Sequence, residues 1–153
     1  MLRNSFLCLL LLCGSASAIL RTDDAWTAPM AAGALCHING MVMVGTDGYA
    51  RPAGALVGAY VVGVARMRVD NSAGGAGMKS VLFDEGLIVR TQDGSVTSST
   101  PLGAKLYATS EAAVTKTQIG SLPAAGRFYG LDPIDGNVIL HVSREIGAAA
   151  AGY

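Results

Sequence analysis

Apolar and polar positions alternate along this chain in short runs, and the runs are separated by dipeptides that turn the backbone. Asn39-Gly40, Asp47-Gly48, Asp93-Gly94 and Asp135-Gly136 are pairs that tolerate positive φ in tight turns. Between them, Met41 to Val44 reads as one strand. Tyr60 to Val69 reads as another, with Val61, Ala65, Met67 and Val69 on one face and Arg66 and Arg68 on the other. Val81 to Phe83 and Leu87 to Thr91 read as one bent strand broken at Glu85-Gly86. Lys105 to Thr109 and Ala113 to Thr117 form a hairpin around Ser110-Glu111, and Phe128 to Leu131 is a short strand. Val138 to Ser143 closes the set, with Val138, Leu140 and Val142 alternating against Ile139, His141 and Ser143. No window carries a 3.6-residue apolar stripe of helical length. The pattern predicts an all-β domain, a small β-sandwich or β-barrel-like fold of short antiparallel strands over residues 36–146.

Three stretches lack this period. Residues 19–35 are alanine-rich, contain Pro29 and read as an extended arm. Asp70 to Gly77 reads as a flexible glycine-rich loop. It lacks the Lys-Ser/Thr and following helix of a phosphate-cradling loop, because Met78-Lys79-Ser80 leads into a strand. Residues 147–153 are a low-complexity alanine tail, expected to fray.

The first eighteen residues differ again. Arg3 precedes an apolar run from Phe6 to Cys13, and Ala16-x-Ala18 fits a signal-peptidase site. The run is too short for the roughly 20 residues that span a bilayer. Bulky Leu12 before Cys13 argues against a lipoprotein signal. Two readings compete: a secretory signal that is removed, or an apolar segment that is retained and buries itself against a partner. Cys8 and Cys13 would leave with a removed signal, and Cys36 alone forms no intrachain disulfide. Cys36 reads as a small core residue. Its neighbour His37 points to the opposite face of a strand and does not pair with it.

Composition narrows the function. Eleven Lys plus Arg balance eleven Asp plus Glu, and charged residues are 14% of 153, against about 25% in an ordinary soluble domain. Nucleic-acid binding by clustered cations is excluded on this balance. Disorder by charge repulsion is excluded by 51% hydrophobic content. Glycine (20) and alanine (24) leave many positions with almost no side chain. One domain is expected at this length. So neutral a surface is poorly protected against association, and reads as one meant to be covered.

Candidate chemistry is sparse. His37 and His141 are the only histidines, and neither carries a metal-ligand spacing. No serine sits in a G-x-S-x-G elbow. Asp84-Glu85 sends its two carboxylates to opposite faces and reads as a polar bend rather than an acid/base pair. Asp132, Asp135 and Asn137 around Pro133 resemble a calcium loop loosely, and Asx-turn chemistry accounts for them better. Arg66, Arg68, Arg90 and Arg144 are candidates for a mixed charged face that docks on an acidic partner. Trp26, the only tryptophan, is either an anchor for a pocket or a residue folded onto its own core. A small secreted hydrolase would need His37 or His141 beside a serine and a carboxylate. No catalytic, cofactor or metal residue is assigned.

The order of motifs is more informative than any one of them. Gly40-Met-Val-Met-Val-Gly-Thr-Asp-Gly-Tyr-Ala-Arg-Pro-Ala53 is followed by Val62-Gly-Val-Ala65 and Val69-Asp-Asn-Ser-Ala-Gly-Gly75. Then come Leu102-Gly-Ala-Lys-Leu-Tyr-Ala-Thr-Ser110, Ala113-Val-Thr115, Gly126-Arg-Phe-Tyr-Gly130 and Val138 to Val142. This succession, over about residues 33–146, resembles the tailed-phage capsid cement (head decoration) proteins. In that family a "Gly-Tyr-Ala-x-Pro" turn, a "Gly-Val-Ala" strand and an "x-Asp-Asn-Ser-Gly-Gly" loop recur in this order. The resemblance implies a non-enzymatic virion protein on the outer capsid surface, partnered by the major capsid protein and often trimeric, with no cofactor, nucleic acid or small-molecule substrate. It implies that residues 19–35 are a capsid-contact arm, with Ile19, Leu20, Arg21, Trp26 and Met30 as candidate contacts. On that reading removal of residues 1–35 leaves a folded domain that no longer binds capsids. Residues 1–18 depart from the family, because head proteins assemble in the cytoplasm and need no export. Either they are retained with the arm, which the resemblance favours, or the chain is a secreted bacterial β-rich surface or adhesion module.

Overall fold

The computed structural model describes residues 20–22 and 25–145. The expectations for residues 1–18, Ile19 and the 147–153 tail lie outside these residues. The elements of the described chain are strands: β1 (Leu20–Thr22), β2 (Ala25–Pro29), β3 (Leu35–Cys36), β4 (Met41–Val44), β5 (Ala50–Pro52), β6 (Tyr60–Ala65) and β7 (Val69–Asp70) come first. β8 (Ser80–Asp84), β9 (Gly86–Gln92), β10 (Lys105–Ala108), β11 (Ala113–Thr115), β12 (Ala124–Leu131) and β13 (Val138–Val142) follow. The all-β, barrel-like class expected from alternation is the class observed. The turn dipeptides behave as their chemistry requires, with Asn39, Gly48, Gly94 and Gly136 at φ of 61°, 78°, 85° and 71°.

Pairing closes the strands into two small rings. β12, β10, β11, β9 and β13 pair in that order, and β13 returns to β12. The second ring runs β2, β8, β6, β4, β5 and is closed by a parallel bridge from Met30 to Ala50. Each ring holds its own core. Leu106, Val114, Phe128, Val138, Leu140 and Val142 fill the first, and Met30, Val42, Val62, Val81, Phe83 and Cys36 the second. β4 and β6 are shared. Met41, Met43 and Val61 face the first core, while Val42, Val44 and Val62 face the second. A wall apolar on both sides explains why Met41 to Val44 is an unbroken apolar run.

Several boundaries differ from the alternation pattern, each for a physical reason. The run Tyr60 to Val69 falls in two strands, β6 and β7, separated by Arg66-Met67-Arg68. β6 is buried on both faces, so a one-sided count of apolar positions does not apply to it. The strand expected at Phe128 begins four residues earlier, at Ala124. Ala124 and Ala125 carry little β signal but are buried, and a Cβ on Gly126 would come within 2.3 Å of the His141 carbonyl oxygen. Small residues are required there by the close approach of β13.

Within residues 19–35, expected to be an extended arm, the described residues are largely strand paired into the sheet. β2 pairs along its length with β8, with Trp26 opposite Phe83 and Ala28 opposite Val81, and β1 covers its other edge from Ala25 to Thr27. Pro29 lies beyond the reach of β1, so its missing N–H interrupts no ladder on that side.

Candidate interaction face

Alternation on β9 turns Leu87, Val89 and Thr91 outward, with Leu87 54% and Val89 44% exposed. β13 does the same with Ile139 and His141, while Val138, Leu140 and Val142 fill the core. On β12, Arg127 and Tyr129 face out, and a register shift between Phe128 and Gly130 leaves Tyr129 as the extra residue of a bulge, 61% exposed. On β10, Lys105 and Tyr107 are half-buried.

Register assembles these side chains into rows. Lys105 lies opposite Arg127, Arg127 opposite His141, and His141 opposite Leu87. Ile139 lies opposite Val89 in the adjoining row. Directly opposed residues share a face, so one row across four strands carries two permanent cations, an imidazole and a leucine. No carboxylate stands in either row. Like charges directly opposed on a sheet destabilise by some tenths of a kcal/mol, so stability does not account for Lys105 beside Arg127. Among the described residues, the guanidinium of Arg127 donates to the Gly103 carbonyl, at 3.3 Å. Lys105 also borders a groove of about 550 Å3, walled by Leu56, Val57, Ala59, Leu122 and Tyr107 and containing no acidic residue.

Other cations are already engaged. Arg66 makes a two-pronged contact with Asp84 at 2.7 and 2.9 Å, Arg68 reaches Asp70 at 3.0 Å, and Arg51 pairs with Asp47. Arg144 stacks 3.6 Å from the Trp26 ring centroid, and its backbone N–H donates to Glu85. Arg90 donates to the carbonyls of Val89 and Asn39, and burial lowers its pKa. The four arginines expected to form one docking face are thus committed to separate partners within the fold.

The candidate arm contacts fare differently from one another. Leu20 and Arg21 are in β1. Trp26 is half-buried beneath Arg144, and Met30 is fully buried in the second core. Of the two outcomes for Trp26, the structure shows the one folded onto its own core; Met30 is unavailable as a surface contact.

One association was not legible from spacing. His37 Nδ1 lies 2.6 Å from Glu111 Oε1, across 74 residues of sequence, in a shallow depression shared with Arg90. The Glu111 backbone carbonyl accepts from Met41 N–H at 2.8 Å, and Gly40 leaves room for its carboxylate, which a Cβ would approach to 2.8 Å. The pair therefore cross-braces the β3–β4 turn against the β10–β11 turn. Thr91, which supplies a hydroxyl to that depression's lining, donates to the Ala112 carbonyl. Cys36 is buried and free, and His141 is exposed, as alternation required.

The Asp70–Gly77 loop is more ordered in its bonding than its glycines suggest. Asn71 is buried and donates from Nδ2 to Ala31 and Gly75 carbonyls, at 2.9 and 3.0 Å. Asp70 accepts from Ser72, chiefly through its hydroxyl, which lowers the carboxyl pKa. Asp132 and Asp135 accept from the N–H of Ile134 and Asn137, the Asx-turn pattern expected of them. Among the described residues no group of three or more His, Cys, Asp or Glu is placed to hold a metal ion, and no helix is long and apolar enough to cross a membrane. No family model matches the chain, and no curated protein or solved structure is detectably similar to it.

Proposed function

We propose that the chain is a structural, non-enzymatic protein of the capsid-cement kind, which binds the outer surface of a tailed-phage head and stabilises the shell. The observation that carries the reading is the outer face of the first ring, where Leu87, Val89 and Tyr129 stand exposed and Ile139 half-buried on a closed strand framework. Burial of such a face contributes roughly 25 cal/mol per Å2 of apolar area, repeated at every copy on a shell. The motif order from Gly40 to Val142 supports the same reading, with the major capsid protein as partner and a homo-oligomer, a trimer by the resemblance, as the bound form. Purified heads lacking their outer protein provide the test. Saturable co-sedimentation of the full chain and a higher disruption temperature of the shell are expected. Heads that neither bind the chain nor gain heat resistance would refute the proposal.

A second reading has its own observation. Arg3, the apolar run Phe6 to Cys13 and Ala16-x-Ala18 fit a removed secretory signal, which would make the mature chain a secreted β-rich surface or adhesion module. The intact mass of the native protein separates the two, because export removes the first eighteen residues and a virion protein keeps them.

A further inference from the structure

We infer that the row Lys105, Arg127 and His141, with the aliphatic row beside it, is the docking site for an acidic segment of a partner protein in which carboxylates are interleaved with apolar side chains. The inference deepens the binding-face reading above and rests on it. Its first support is the cross-strand register, which brings Lys105 and Arg127 face to face at the spacing of adjacent strands, about 5 Å. Nothing in either row neutralises them. Elsewhere Arg51, Arg66, Arg68 and Arg144 each meet a carboxylate. Those four described guanidiniums are met by acids within the fold, whereas Lys105 and Arg127 face each other across the row and are left to be neutralised from outside.

The second support is the neighbourhood. Leu87, Val89 and Ile139 continue the face without a break in register, and the acid-free groove opens beside Lys105. A partner must therefore offer negative charge and apolar surface within one short stretch. An extended acidic segment does so, because its side chains alternate and its carboxylates reach the basic row while apolar residues reach the aliphatic one. A nucleic acid suits the face poorly. It would require cations tracking several phosphates, and here two permanent cations adjoin hydrocarbon.

The test titrates the full chain by calorimetry with an alternating glutamate–valine peptide, with poly-glutamate and with oligo-thymidylate. The alternating peptide is expected to bind most tightly, with affinity falling as salt rises. The double variant Lys105→Gln, Arg127→Gln should weaken that binding roughly tenfold, and Arg68→Gln should leave it unchanged. Relief of the opposed charges should also raise the variant's melting temperature by about 1–3 °C, the reverse of what a structural role would give. Unchanged peptide affinity in the double variant, equal affinity for oligo-thymidylate, a lowered melting temperature, or self-association of the wild-type chain abolished by the same substitutions would each overturn the assignment. Failure of the wider reading looks different: a chain that binds the peptide but not heads refutes capsid decoration alone. Full head occupancy by the double variant refutes the basic row alone.

Discussion

At the scale of single residues, burial decides what chemistry a side chain keeps. Cys36 sits in the second core, and burial, aided by the negative charge of Glu111, pushes its thiol from an ordinary value of 9.0 up to about 12. The neutral thiol is thus the folded-state form. The unfolded chain ionises first, so this contribution to stability is intact below pH 9.0 and is lost as pH rises toward about 12. A thiol reagent at pH 8 should leave native Cys36 untouched and modify it at once in denaturant. The denaturation midpoint of the wild type should fall more steeply above pH 9 than that of Cys36→Ala. The core role of Cys36 was legible because a lone cysteine among alanines and valines offers bulk and no partner. The His37–Glu111 contact was not legible, since 74 residues separate the two and only the closed ring brings their turns together. Gly126 was equally silent: its role is defined by a carbonyl on another strand.

At the scale of elements, alternation located the strands with one buried face, β9, β10 and β13, and the unbroken apolar run located β4, but β2 was missed and β12 truncated. β2 is the case with most consequence. Its sequence, Ala25-Trp-Thr-Ala-Pro29, has small residues where the sheet packs tightly and a proline at its end, so it carries no period of two. Yet Phe83 and Val81 behind it are fully buried. A chain lacking residues 1–18 keeps every described strand and should melt as the full chain does. A chain lacking residues 1–35 loses β2, Ala28 and Met30, uncovers Phe83, and should show no cooperative melting, because truncating one buried methionine alone costs about 2–5 kcal/mol. Circular dichroism melts of the two truncations check this. It also means that loss of capsid binding on deleting 1–35 would report unfolding, so the deletion cannot serve as a test of arm contact.

At the scale of the molecule, the two cores share β4 and β6 as a common wall, and the two rings should not unfold separately. Phe83→Ala in the second core is expected to cost roughly 3–5 kcal/mol and Leu106→Ala in the first roughly 2–5 kcal/mol. Each should shift one common calorimetric transition downward. Two resolved transitions in either variant would show that the rings are independent units. The class of fold was readable from the turns and alternation, but the division into two cores was not, because an apolar run is the same whether one core or two receive it.

That shared wall changes what holds β4 in place. In an ordinary half-buried strand, a slip of one residue turns apolar side chains to water, and polarity alone forbids it. In β4 the same slip would only exchange Met41 and Met43 with Val42 and Val44 between two oily interiors, and hydrophobicity would not object. The alignment of this strand is written in volume instead: long, pliant methionines toward one cavity, short branched valines toward the other.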